Sequence, residues 1–322
     1  MLRLLTDHYL EIRSSFIYEV RRFFIKKNYL EIQTPLLNPG GNIEAFIDPF
    51  TVNRNSKRKS PEGSENNSIG YLITSPEYNL KSQFSHSKKN LFEIAHCFRQ
   101  GDKGRLHTEE FLMLEWYRRD VQIENFIQET LELIHFLSEK RFSKENFKFS
   151  DIQVHSVESL FIKYTGSKLD YQSLYNCAEK KGYLQFSPSQ PRYDELFFLL
   201  FLNEIEHHLG KNAPEALYRY PSELAALSKI NGPYAERFEI YWKGIELANG
   251  YEELAGKKEN ILRFQKENQL RIMQNKNEIP FEEQFLENID FLPQSCGCAL
   301  GLDRLLMLLL KEERIDKVSP FI

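Results

Sequence analysis

Cysteine is scarce, with four in 322 residues. That is too few for a disulfide framework, so a reducing cytoplasm is the expected setting. Cys296 and Cys298 stand two apart, not at the spacing of a zinc site, and no second pair exists. Both are expected as buried, reduced thiols, and Cys177 as a core residue. The eight histidines contain no H-x-x-x-H pair, so zinc chemistry is not expected. No run approaches the ~18 apolar residues of a membrane span. The most apolar stretches, 196–202 and 305–310, are core-sized. The first residues carry Asp7 and Glu11 and lack a long apolar segment, so no signal peptide is expected. An excess of one charge sign is missing too. Lys plus Arg is 42 and Asp plus Glu is 46, for a formal net charge of −4. That balance argues against a protein held to nucleic acid by bulk charge. Repeats and Pro/Gly linkers are absent, so one domain over 1–322 is expected.

What remains is ordinary globular composition, 41% hydrophobic and 27% charged. Ile12, Phe16, Val20, Phe23 and Phe24 recur at helical spacing and predict a helix over 8–28, followed by an extended segment to Pro35. Residues 51–70 are polar and charged, with a basic cluster from Arg54 to Lys59, and read as an exposed loop. A strand is predicted at 71–74, and a helix from Ser75-Pro76-Glu77 with Pro in its first turn. Strands are expected at 91–99, 110–118 and 296–301, and around a glycine turn within 237–255. Helices are expected at 121–140, 171–182, 194–209 and 257–275, and from Asp303. Antiparallel strands among long helices make the fold class α+β.

Three segments could carry chemistry. In the hairpin from Leu91 to Arg118, alternation places Glu93, Ala95, Cys97 and Arg99 on one face, with Phe111, Met113, Glu115 and Tyr117 on one face of its partner. That mixture reads equally as a site or as ordinary surface. Glu246 to Glu253 sets carboxylates around Asn249 and Gly250, which suits a divalent cation or cationic ligand; solvated acids at a hairpin edge are the simpler reading. In Ser295 to Arg304, Gly297, Ala299 and Gly301 alternate, leaving one strand face nearly bare. Arg304 follows at a helix start, where an anion is favoured.

Together these segments resemble the three motifs of the class II aminoacyl-tRNA synthetases, and most closely those of the lysyl enzyme. Tyr29-Leu30-Glu31-Ile32-Gln33-Thr34-Pro35 resembles motif 1. Phe98-Arg99, His107 and Glu110-Phe111 resemble motif 2, and Gly297 to Arg304 resembles motif 3. The resemblance runs from about residue 8 to the end and implies a class II catalytic core, an antiparallel sheet flanked by helices. Motif 1 opens almost at the start, so the OB-fold anticodon domain of lysyl enzymes is expected to be absent. Val318-Ser319-Pro320-Phe321 resembles the family's terminal segment, so the catalytic domain is expected to be complete. Thr74 to Tyr78, Met113 to Arg118 and Gly244 to Gly250 look like the free-standing paralogues that lysylate translation elongation factor P and prefer (R)-β-lysine. Ala299 agrees, because the paralogues have Ala where the tRNA enzymes have Gly.

The resemblance implies ATP and Mg²⁺ as cofactors, lysine or (R)-β-lysine as substrate, and elongation factor P rather than tRNA as acceptor. It also implies a homodimer built on motif 1. The substrate carboxylate is already ionised, so adenylation needs positioning and charge rather than a base. By resemblance, the catalytic Arg99 and Arg304 contact the α-phosphate and the distal phosphates, with His107 beside Arg304. Phe111 stacks on adenine, Gly301 admits the nucleotide, and Glu246 helps hold Mg²⁺, with Leu247 beside it. Gln100, Gly101 and Thr108 fall at nucleotide-binding positions. Ser75, Pro76, Glu77, Glu115, Tyr117, Asn249, Glu253 and Ala299 fall at substrate-binding ones. Two departures stand out. Arg99-Gln100-Gly101 replaces Arg-Asn-Glu, which removes an adenine contact that Asp102 could supply by a one-residue shift. His107-Thr108-Glu109-Glu110-Phe111 replaces His-Asn-Pro-Glu-Phe. Two alternatives follow: a truncated lysyl-tRNA synthetase, or a degenerate paralogue that binds a ligand or partner.

Overall fold

A computed structural model of the chain describes residues 4–54, 68–185 and 190–320. The chain divides into two compact units. One comprises the residues up to Asp120 and those from Leu254 onward; the other is Val121–Glu253.

The first unit opens with α1 (Asp7–Lys26), which buries Phe16, Val20, Phe23 and Phe24. An acid at its start and a lysine at its end complement the helix dipole. Asn28, at φ 62°, turns the chain away. Phe24 stacks on Phe92 at 4.9 Å and tilts against Trp116 at 5.3 Å, which fixes the helix to the sheet. There follow β1 (Leu30–Glu31), β2 (Leu37–Asn38), β3 (Thr51–Asn53), β4 (Ser68–Leu72), α2 (Glu77–His86), β5 (Leu91–Phe98) and β6 (Glu110–Arg119). The expected loop over 51–70 is thus bounded by paired strands, because Thr51 and Val52 lie across from Tyr71 and Gly70. Residues 55–67, with most of the basic cluster, lie outside the described residues. Pro76 sits at the N-cap of α2, one position ahead of the predicted first turn.

The second unit holds α3 (Ile123–Ser138), β7 (Gln153–Ser156), α4 (Val157–Thr165), α5 (Tyr171–Lys180), α6 (Tyr193–Leu200), β8 (Glu215–Pro221), β9 (Ile230–Asn231), β10 (Tyr234–Trp242) and β11 (Ile245–Glu252). Its strands run in the order β11-β10-β8-β7, with β9 beside β10. Among the described strands there, only β7 and β8 pair in parallel. Leu160, Phe161, Leu196, Phe197 and Leu217 belong to its core. The helix predicted over 194–209 stops at Leu200; one wide π turn (Phe201–Ile205) and a short 3₁₀ turn (Glu206–His208) replace its end. The turn between β10 and β11 is Lys243-Gly244, with φ of 53° and 70°. That is the two-residue hairpin turn whose twist matches the strands.

The chain then returns to the first unit through α7 (Lys257–Met273), α8 (Glu283–Asn288), β12 (Ser295–Gly301) and α9 (Leu302–Leu309). The main sheet of this unit is ordered β1-β5-β6-β12, and the smaller one β2-β4-β3. β1 pairs with β5 in parallel, and the other main-sheet pairs are antiparallel.

Candidate active site

The strand register assembles one face in the first unit. Leu91, Tyr117 and Gly297 lie across from one another, as do Glu93, Glu115 and Ala299, then Ala95, Met113 and Gly301. Cys97 pairs with Phe111 at the far end. Alternation puts all of these on one side, as the sequence predicts. The surface reading of this face is overturned, since Glu93 and Glu115 are each only 2% exposed. Glu93 accepts from the Thr34 N–H at 2.8 Å and its hydroxyl at 2.9 Å, so it anchors the segment after α1. Glu115 accepts from the Tyr117 hydroxyl. Burial raises the Cys97 thiol well above its ordinary pKa, so it stays protonated.

Beyond Phe111 the face becomes cationic. The Arg99 guanidinium lies over the Phe111 ring, 5.1 Å from its centre. Arg304, in the first turn of α9, lies 2.5 Å from His107 Nε2. Desolvation, and then the neighbouring Arg304, hold the His107 pKa below its ordinary value. The ring nitrogen of a neutral imidazole can accept a hydrogen bond from the arginine N–H here. A Cβ at Gly301 would meet only the Arg304 side chain, at 3.8 Å, so the strand edge is open to a flat ligand. The Gln100-Gly101 departure has a backbone reason. Gly101 has φ 86°, a conformation strained for a glutamate, and its N–H donates to Glu109 Oε1 at 3.0 Å. Gln100 N–H donates to the Asp48 carbonyl at 2.8 Å, and the Thr108 hydroxyl to the Glu110 carbonyl at 2.6 Å. These bonds shape the loop.

The segment before α2 adds anionic groups. Glu77 pairs with buried Lys81 at 2.5 Å, and Ser75 accepts from the Asn42 amide at 3.2 Å. Pro76 is buried. The Thr74 hydroxyl donates to Glu44 at 3.2 Å, while its carbonyl receives Arg99 Nε at 3.4 Å. Desolvation raises the Glu44 pKa, opposed by Arg99 and reinforced by Glu77. Lys81 and Glu44 were not singled out in the sequence. The Glu-to-Lys spacing of four was a signal for the first. The glycine pair before Asn42 marks a different feature, the close approach of Gly40 to the backbone of Phe281 and Glu282, which a Cβ would meet at 2.7 Å.

In the second unit, a bulge changes the phase of β11. Ile240 faces Ala248, but Tyr241 faces Glu246, so Leu247 is the extra residue. Plain alternation would put Glu246 and Asn249 on opposite faces. With the bulge both lie on the face of Tyr241 and Glu239. Leu247 is itself buried. The Asn249 side-chain oxygen is buried with no hydrogen-bond partner. Glu253, expected as a solvated acid in the simpler reading, is 6% exposed. On the same face Glu239 accepts the Tyr220 hydroxyl at 2.6 Å, the Tyr241 hydroxyl at 2.8 Å and Arg237. Burial, and then the Glu239 charge, keep both phenols protonated. Sequence reading missed this network, whose trace is the alternation Arg237-x-Glu239. Cys296 and Cys298 are buried in β12, and Cys177 is half-buried against the second core. Among the described residues, no three His, Cys, Asp or Glu side chains form a metal-binding group.

This arrangement, a bare strand ending in a helix-borne arginine beside an arginine-aromatic pair, suits a bound nucleotide. The chain matches the family model for class II tRNA synthetases (D, K and N) over residues 3–322, and it belongs to that family. Its similar relatives narrow the class. It is 37% identical to an elongation factor P–(R)-β-lysine ligase homolog of Aquifex aeolicus (strain VF5), over 95% of this chain and 96% of the relative. It is 36% identical to the elongation factor P–(R)-β-lysine ligase of Buchnera aphidicola subsp. Schizaphis graminum (strain Sg), over 96% and 94%. It is 33% identical to the ligase of that name from Proteus mirabilis (strain HI4320), over 96% and 93%.

Proposed function

We propose that this chain is an ATP-dependent ligase that activates lysine, with (R)-β-lysine preferred, as an adenylate. It then transfers the acyl group to a lysine side chain of translation elongation factor P. The class of reaction follows from the family, and the acceptor from the names of relatives matched over nearly their whole length. The observation that carries the reading is the single face shared by Arg99, Phe111, Glu115, Tyr117 and Ala299, open at Gly301 and ending at Arg304.

On this reading Arg99 steadies the α-phosphate while the substrate carboxylate attacks it, and pyrophosphate leaves toward Arg304 and His107. Phe111 carries the adenine. Glu77, Glu115 and Tyr117 take the substrate's ammonium groups, which bind best where water is excluded, and Glu253 of the second unit is assigned to substrate by the resemblance alone. Ala299 lies directly across from Glu115, so its methyl group sets the depth available beside that carboxylate. Glu246 and Asn249 fit a magnesium ion. They bring one carboxylate and one unsatisfied amide oxygen to the same strand face, and Mg²⁺ takes few protein oxygens alongside substrate phosphates. Held there, it would supply positive charge to offset that of the phosphates.

The test is ATP–pyrophosphate exchange without amino acid, with (S)-α-lysine and with (R)-β-lysine, followed by transfer to elongation factor P and to tRNA. Exchange dependent on either lysine, with transfer to the factor, is expected. Exchange is expected to be higher with the β-isomer, by about tenfold or more if one methyl contact decides it. Folded protein that exchanges with neither would refute the proposal.

A further inference from the structure

Motif 3 contributes a second charged residue to which no role has yet been given, Asp303. The ladder between β6 and β12 ends at Met113 and Gly301. The next pair would be Leu112 with Leu302, but there the chain turns into α9. A strand N–H left without its ladder partner in the interior is costly. Asp303 Oδ2 accepts this Leu112 N–H at 2.7 Å. Its other oxygen holds Arg13 Nη1 of α1 at 2.5 Å, and the same nitrogen donates to the Val318 carbonyl at 3.1 Å. One carboxylate, 2% exposed, therefore joins β6, α9, α1 and the C-terminal segment. Its two chain neighbours in this clamp are functional on the reading above. Phe111 precedes Leu112, and Arg304 follows Asp303.

We propose that Asp303 is a positioning residue for the nucleotide. It locks the β6 backbone behind Phe111 to the first turn of α9 that carries Arg304, with Arg13 as its counter-charge. Two charge-assisted bonds at these distances are short and directional. A buried carboxylate needs its cation, because removing one partner leaves the other charge uncompensated. The proposal rests on the reading that this face binds ATP.

The test compares two double variants that both remove the Arg13 charge. In R13M/D303N the amide oxygen can still accept the Leu112 N–H; in R13M/D303A nothing can. ATP binding is measured by calorimetry on the full chain, beside melting temperature and the lysine KM in exchange. R13M/D303A is expected to bind ATP about tenfold more weakly than wild type, and R13M/D303N to recover most of that loss. The lysine KM is expected to stay within about twofold in both. Equal ATP affinity in the two folded variants overturns the proposal, as does a loss shared equally by ATP and lysine. If R13M/D303A does not fold, D303E replaces it: the charge is kept, but one added methylene displaces the link, and unchanged ATP affinity then overturns the proposal. A wild-type chain that binds no ATP counts instead against the proposed function.

Discussion

His107 meets its arginine neighbours differently in its two protonation states. As a neutral ring it accepts from Arg304; as a cation it opposes Arg304 and Arg99. Its folded pKa is depressed, by desolvation first and then by Arg304. The unfolded chain therefore takes this proton first as the pH falls. The contribution to stability is fully present above about pH 6.5 and is lost as the pH falls toward the folded value. His107→Asn removes that dependence. Melting followed between about pH 7.5 and 5 should show a smaller drop for the variant than for wild type. Parallel curves would show that the folded state does not lower the proton affinity of the ring. Ala299 works by size rather than charge. Its methyl group stands in a row of otherwise bare positions, so one carbon changes the shape of that floor without touching its electrostatics.

Among the elements, α1 sets one of its buried aromatic residues directly against the sheet. Phe24 is fully buried between Phe92 and Trp116. Phe24→Ala should cost about 3–5 kcal/mol, read as a lower urea midpoint with an unchanged slope. A loss below about 1 kcal/mol would show that the site collapses around the gap. α1, β5, β6 and β12 were legible in the sequence because their signals are local: a helical repeat of Phe and Val, and alternation along each strand. What lay over a strand face was not legible. Glu93 and Glu115 look the same in sequence whether solvated or buried, and only Thr34 and Tyr117 in three dimensions settle which. The bulge at Leu247 was hidden for a related reason. It is a mismatch between β11 and β10, and a strand read alone shows no mismatch. Glu246 and Asn249 were named, but their common face was not. At Phe201–Ile205 the helical pattern continues in the sequence, while the backbone widens into a π turn.

For the whole molecule, the homodimer expected from the motif 1 resemblance would be built along the first helix and the strand that follows. Tyr18 is 62% exposed and Ile25 59%, and Leu10, Leu30 and Leu37 are exposed too. Exposed apolar side chains of this kind are what a second copy would cover in such a dimer. Light scattering at micromolar concentration should give twice the 38.2 kDa chain mass, and Tyr18→Glu should shift it toward one chain. A wild-type mass of one chain would remove this expectation. The first unit is also interrupted in sequence, with residues 121–253 forming a compact unit of their own. Arg13 and Asp303 meet across 290 positions. At about 5–20 residues per second, the ribosome needs roughly 15 to 60 s to make the second after the first. During synthesis Phe24 finds Phe92 and Trp116 before the inserted unit is made, and that unit can close while Arg13 still waits for Asp303. The face shared by β5, β6 and β12 can therefore be completed only after the whole inserted unit has been made.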